Sequence, residues 1–296
     1  MGFNINIAMS ANDDYAPHLA ATMASILKNS ADGEKLHFFV LNDDFKQETK
    51  NKILKLKKLK NCEITFIDFD ISQYKEFPAT EVFPVQVYFR LKIPRLIQEE
   101  KVLYLDSDVL VRGSLAELYN TDIENCLLAA VEDFSSLYNS FSINRAKIWN
   151  LEKYFNSGVL LMNLKYIREN ATEFDFEQNC IDFIRNNARK LVCFDQDTLN
   201  MVCKGRVKYI DTKYNFQHHC KNREVKKDCK KQKSDIKIIH FVTYKKPWLF
   251  LKTPDFVLEY YRYSLLTDFR FEIFKNFLTF LLYVKHNLGN LKYVFY

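Results

Sequence analysis

Short apolar runs separated by amphipathic segments set the plan of the chain. Residues 4–9, NINIAM, alternate apolar and polar positions as a strand does. The segment APHLAATMASILKN then places Leu19, Met23, Ile26 and Leu27 on one helical face. KLHFFVLND (35–43) predicts a second strand. KQETKNKILKLKKLKN predicts a basic helix with Ile53, Leu56 and Leu59 turned inward. CEITFIDFD (62–70) predicts a third strand, QVYFRLKIPRLI a helix that stops at Pro94, and residues 101–105 a fourth strand. Strands spaced by helical segments need parallel crossovers. The pattern therefore predicts an α/β fold with a doubly wound, mostly parallel sheet.

In such sheets ligands bind beyond the carboxyl ends of the strands. Acidic loops stand at those ends: SANDDY after the first, NDDF after the second, DSD after the fourth. Asp and Asn favour turns, which suffices for NDDF. It accounts less well for DSD, which aliphatic residues enclose on both sides. In extended chain, residues i and i+2 point the same way, roughly 6.5–7 Å apart at Cα. Asp106 and Asp108 therefore converge, with Ser107 facing away. Two converging carboxylates repel and are costly to desolvate unless a cation sits between them. A hard divalent ion, Mn²⁺ or Mg²⁺, prefers oxygen ligands and shares them with phosphates.

A competing account exists. Ser114 and Glu117 have the spacing of a capping box, so DSD could be only a turn leading into a helix. The triplet alone leaves both open. A phosphatase of the haloacid dehalogenase type also carries Asp-x-Asp after an apolar strand. There the motif lies on the first strand with Thr or Val two residues on; here it lies on the fourth, with Leu110 at that place.

Composition narrows the choices. At 296 residues, 48% apolar and 15% aromatic, the chain can bury a large core. Only six glycines occur, none close together, which excludes a dinucleotide fingerprint or a P-loop. Bound phosphates must be held by other means. The net charge of +6 is concentrated between Lys221 and Lys237, where eight Lys/Arg stand against three Asp/Glu. No basic helix or stacking platform accompanies it, so nucleic acid is not expected. An anionic membrane surface or an anionic substrate is. Seven scattered cysteines without a CxxC pair read as reduced thiols. His218, His219 and Cys220, with Cys229, match no standard zinc spacing. The N-terminus alternates like a strand and lacks a basic leader, so it reads as structure and not as a secretory signal. The expected location is cytoplasmic.

The chain divides on this reading into a catalytic domain, 1–255, and a C-terminal segment, 256–296. Ile273, Phe277, Phe280, Leu281, Val284 and Leu288 fall on one helical face, flanked by Arg270, Lys275 and Lys285. The apolar run is far short of the roughly 18–20 residues that span a bilayer. It predicts a helix lying in the membrane interface, peripheral on the inner face of the cytoplasmic membrane. A helix packed on the catalytic domain is the alternative.

Seven blocks occur in order: NIAMSANDDYAPHLAATMASIL, YFRLKIPRLI, KVLYLDSDVLVRGSLAELYNTD, YFNSGVLLMNLKYIRE, FDQDTLNMVCKGRVKYID, YNFQ and IIHFVTYKKPW. Together, from residue 4 to about 250, they resemble the family 8 retaining glycosyltransferases, which include bacterial lipopolysaccharide galactosyl- and glucosyltransferases. The resemblance implies a GT-A fold and a UDP-hexose donor bound with Mn²⁺ or Mg²⁺. It also implies a lipid-linked oligosaccharide acceptor. It makes Asp106, Asp108 and His240 metal ligands, with Ser107 beside the donor, and imidazole suits Mn²⁺ as well as oxygen does. Lys246 would meet the diphosphate. Ser10 or Ala11 and Asn12 would contact the base, and Asp14 and Tyr15 the base and ribose. Arg90 would bind the donor sugar or diphosphate, although residue type alone reads it equally as a surface arginine. Asn156, Asp195 and Gln196 would surround the sugar, and Asp197 reads as a helix-terminal acid.

Two positions depart from the family pattern, Thr243 where Gly is usual and Asp14 where Asn is usual. Gln196, at the place a nucleophile would take, is a very weak one. That favours front-face attack, with the departing diphosphate as base, over double displacement. The rivals are the phosphatase and an inactive, membrane-bound scaffold of the same fold.

Overall fold

The computed structural model describes residues 3–80, 84–133, 140–217, 235–242, 246–249 and 256–270. The first strand, β1 (Phe3–Ser10), leads through a 3₁₀ turn into α1 (Ala16–Asn29), whose Pro17 in the first turn suits a helix start. Next come β2 (Glu34–Asn42), α2 (Gln47–Leu54), extended by a 3₁₀ turn to Lys58, and β3 (Cys62–Asp68). A 3₁₀ stretch, Val85–Lys92, runs into α3 (Ile93–Leu96) and β4 (Lys101–Leu105). The expected stop at Pro94 does not occur, because Pro94 falls in the first turn of α3, where its missing N–H costs nothing.

After β5 (Val109–Val111) come α4 (Ala116–Tyr119), β6 (Leu128–Glu132), α5 (Ser140–Ile148), β7 (Phe155–Asn163) and α6 (Leu164–Glu169). Two longer helices follow, α7 (Phe176–Asn187) and α8 (Phe194–Val202). Three short strands, β8 (Val207–Tyr209), β9 (Phe216–Gln217) and β10 (Ile238–His240), precede α9 (Val257–Ser264).

Seven strands form the main sheet in the order β3-β2-β1-β4-β7-β6-β8. It is mostly parallel; β7 alone reverses, pairing antiparallel with both β4 and β6. Period-two alternation feeds a core on each face. Ile5, Ile7, Leu103 and Leu105 join α1 on one side, and Ala8, Val102 and Tyr104 join α7 and α8 on the other. A sheet covered on both faces needs such near-continuous apolar strands.

A second, three-stranded sheet, β5-β10-β9, positions the site. Its antiparallel register sets His240 opposite Val109, so the strand leaving DSD carries the histidine back beside it. The capping box does not form. Ser114 Oγ accepts from the Ala116 N–H, but Glu117 pairs with Lys213 Nζ at 2.9 Å and does not reach back.

α9 packs on α1, with Tyr260 and Tyr263 buried. The described part of the 256–296 segment is thus seated on the catalytic core. Residues 271–296, the zinc-like cluster 218–229 and most of the basic stretch lie outside the described residues. No helix among the described residues is long and apolar enough to cross a membrane. Five cysteines there, Cys62, Cys126, Cys180, Cys193 and Cys203, are free thiols.

Candidate active site

The carboxyl ends of β1 and β4, the start of β7, α8 and the residues after β10 enclose a cavity of about 770 Å³. One end is lined by Ser10, Ala11, Asn12 and Tyr15. Asn12 Oδ1 accepts from Tyr15 N at 3.0 Å, which fixes the loop. His18 lies flat on Trp248, centroids 3.5 Å apart, and Tyr15 meets both rings edge-on. Tyr260 of α9 holds His18 Nδ1 at 2.6 Å. Asp14 is exposed and is not among the lining residues.

Asp106, Asp108 and His240 meet at the cavity floor, their ligating atoms all within 4.8 Å of one another. His240 Nδ1 bonds Asn215 Oδ1 at 3.0 Å. An amide oxygen only accepts, so the ring proton sits on Nδ1 and the Nε2 lone pair faces the aspartates. Asp108 Oδ1 is 3.3 Å from that Nε2, and it is buried with no hydrogen-bond partner. Two lone pairs facing each other at this distance repel unless a cation lies between them. Burial pushes the Asp108 carboxyl up, but the Lys246 ammonium beside it outweighs that and holds the group below the usual carboxylate range. It remains ionised. The donor set, two carboxylates and an imidazole, fits a divalent ion.

Gly158 passes directly behind this point. A Cβ there would fall 2.2 Å from His240 Cε1 and 2.6 Å from Asp106 Oδ2. The close approach demands glycine.

Arg90 is no surface arginine. It is 5% exposed, stacked over Tyr104 at 4.5 Å, and bonded to Asp106 Oδ1 at 2.9 Å and the Ser157 carbonyl at 2.7 Å. It also pairs with Asp195 at 3.2 Å. Tyr104 OH donates to the same Asp106 oxygen. Burial raises Asp195 to about 6, against the pull of Arg90. Ser107 Oγ donates to the Ser10 carbonyl and ties the metal loop to the first. Lys246 Nζ pairs with Asp108 and with the Phe241 carbonyl.

A relay of amides runs from the metal ligands to the far wall. Asn215 donates to Asn156 at 2.8 Å, Asn156 to Gln196 at 3.2 Å, and Gln196 to Asp133 at 3.0 Å. Ser157 N also donates to Gln196 Oε1 at 3.0 Å, so the side chain is oriented. Asn215 and Asp133 were not singled out in the sequence. Asn215 lies in the quoted YNFQ block, but its role depends on a contact across 25 residues that no local pattern encodes. Nor is Asp197 merely a helix-terminal acid. It is fully buried and accepts from Arg145, Trp149, Tyr154 and the Val192 and Cys193 N–H groups.

A doubly wound sheet whose fourth strand delivers paired aspartates and a returning histidine to such a cavity defines a GT-A glycosyltransferase. The chain belongs to glycosyl transferase family 8, whose model matches residues 6–252. A putative glycosyltransferase of Haemophilus influenzae is 35% identical over 250 residues, covering 82% of this chain and 73% of its own. A lipopolysaccharide 1,2-glucosyltransferase of Escherichia coli is 24% identical, covering 82% and 72%. The galactosyltransferase LgtC, solved in complex with donor and acceptor sugar analogs, superposes with a TM-score of 0.74 at 25% identity, covering 89% of this chain and 96% of that one. The dehalogenase-type phosphatase reading has no support left.

Proposed function

We propose that the protein is a retaining glycosyltransferase that moves a hexose, galactose or glucose, from UDP onto an acceptor of lipooligosaccharide type. One observation carries this reading: Asp106, Asp108 and His240 converge, with Asp108 Oδ1 unpartnered, beneath a cavity whose far side presents Asp195 and Gln196. Bound there, Mn²⁺ or Mg²⁺ would offset diphosphate charge and ease its departure as a Lewis acid. Ser10, Ala11, Asn12 and Tyr15 offer the uridine end. Lys246 would exchange Asp108 for phosphate. Asp195, braced by Arg90, would accept hydrogen bonds from donor hydroxyls. Gln196 would stabilise developing positive charge without forming a bond, since its amide is oriented and poorly nucleophilic. The acceptor proton then goes to the departing diphosphate oxygen, and configuration is retained.

The acceptor reading implies a cytoplasmic, membrane-peripheral enzyme, held on the anionic inner face by the 221–237 stretch and the 256–296 segment. The test is hydrolysis of UDP-glucose, UDP-galactose, UDP-N-acetylglucosamine and GDP-mannose with Mn²⁺ present. A UDP-hexose should turn over and EDTA should stop it. An absence of Mn²⁺-dependent affinity for UDP would identify an inactive scaffold instead. The product's anomeric proton should report an α-glycoside; a β-linked product sinks retention. Gln196→Ala should slow transfer moderately, and Asp195→Asn by roughly the 10²-fold that a misplaced substrate costs.

A further inference from the structure

Among the described residues β5 pairs along one edge only, with β10. Antiparallel pairing uses the backbone of alternate residues. The Asp108 carbonyl accepts from Phe241 N at 3.0 Å, and Arg112 N donates to the Lys237 carbonyl at 2.8 Å. The backbone groups of Val109 and Val111 therefore turn the other way, and α1 meets them. Thr22, Ser25 and Asn29 share one helical face. Thr22 Oγ1 donates to the Val109 carbonyl at 2.7 Å, and Ser25 Oγ accepts from Val111 N at 3.0 Å. Asn29 Nδ2 donates to the Val111 carbonyl at 3.0 Å. A row of helix side chains stands where a neighbouring strand would.

Thr22 reaches further than the other two. The same hydroxyl lies 3.0 Å from the Ser107 carbonyl, inside the turn that carries the metal ligands. Its single proton is shared between the two oxygens. Mid-helix hydroxyls often bond back to their own helix, as Ser25 does to the Thr22 carbonyl at 2.6 Å. Thr22, 1% exposed, turns its proton on the metal loop instead. The ends of that loop are pinned by other groups, Asp106 N by the Gly158 carbonyl and the Asp108 carbonyl by Phe241 N. Between them, the Ser107 carbonyl belongs to the rigid peptide plane that leads into Asp108. Holding that oxygen fixes the plane from which the Asp108 side chain departs. Nothing hydrogen-bonds Asp108 Oδ1 itself, so its aim depends on the backbone behind it.

We propose that Thr22 is a positioning residue for the metal site: from α1 it holds the Ser107–Asp108 peptide so that Asp108 meets Asp106 and His240. This rests on the reading of those three as metal ligands, and the test separates the two. The full chain is titrated with Mn²⁺ alone, the free ion being followed by electron paramagnetic resonance. A wild type that binds no Mn²⁺ sinks the metal reading and this proposal with it. Thr22→Val keeps the shape, deletes the proton and should weaken binding by about tenfold, the lower end of what losing a site's supporting bond costs. Thr22→Ser keeps the hydroxyl and should bind as wild type does. Ser25→Ala is the control, since it leaves the buried Val111 N–H, beyond the turn, without its partner. Its thermal transition should fall while its Mn²⁺ affinity stays that of wild type. Unchanged affinity in Thr22→Val overturns the proposal, as does no recovery in Thr22→Ser. An equal loss in Ser25→Ala also overturns it, because the effect would then be general loosening of β5. Should Thr22→Val fail to fold, Thr22→Ala, which leaves room for water at both carbonyls, replaces it with the same expected loss.

Discussion

Two of the chain's three Asp-x-Asp triplets, Asp106–Asp108 and Asp195–Asp197, end in opposite conditions. The first lies in the tight turn between β4 and β5, not in the extended chain its spacing predicts, and its carboxylates meet beside His240 with one oxygen unpartnered. The second opens α8, where two residues turn the side chain by more than half a circle. Asp195 therefore lines the cavity while Asp197 enters the core and takes every donor within reach. The same spelling builds an unfinished binding point in a turn between strands and a finished structural knot on a helix.

The contrast breaks first on stability. Asp197→Ala leaves the buried Arg145 guanidinium without its carboxylate and should cost roughly 3–5 kcal/mol in denaturant unfolding. Asp108→Asn relieves a crowded site and should leave the transition in place. Equal denaturation midpoints for the two variants would erase the distinction.

Activity should rank them the other way. Asp108→Asn should remove Mn²⁺-dependent turnover. Asn215→Ala, which frees the far side of His240 and drops the bond to Asn156, should weaken Mn²⁺ binding by about 10–100-fold in a titration followed by electron paramagnetic resonance. Unaltered binding would mean that His240 needs no such brace.

The pH profile sharpens the picture further. Asp195 carries a carboxyl raised to about 6, so below that pH it takes a proton and ceases to accept from donor hydroxyls. Donor hydrolysis should fall on the acid side of about pH 6, and Asp195→Asn should show no such inflection. A wild-type rate that is flat from pH 7 to 5 would assign the donor hydroxyls elsewhere.

His18 gives an effect graded with pH. Burial lowers it from 6.5 to about 3, so between those values the unfolded chain binds a proton that the folded one refuses. Stability should therefore decline as pH falls through that window, by up to roughly 1.4 kcal/mol per pH unit. His18→Phe should flatten the slope.

What the sequence made legible was local. Strands β1 to β4 follow from apolar runs; Asp106 and Asp108 do converge, but through a turn and not through the period two of extended chain. His240 was marked by the resemblance and by its place at a strand end. The reversed β7 between β4 and β6 was not legible, because pairing partners distant in sequence leave no periodic trace. Arg90 looked equally like a surface residue, since only tertiary packing reveals Tyr104 beneath it and two carboxylates around it. Asp197 was undervalued for the same reason: its partners Arg145 and Tyr154 come from other elements.

Gly158 gives the molecule a built-in place for a plug. Its backbone is not among the positive-φ positions, so alanine suits the chain path. The three atoms a methyl group would meet first belong to His240 and Asp106. Gly158→Ala would thus fill the coordination space while leaving both sheets their hydrogen bonds. It should yield a folded, metal-deaf double of the enzyme, a decoy for separating what the protein does by chemistry from what it does by being present.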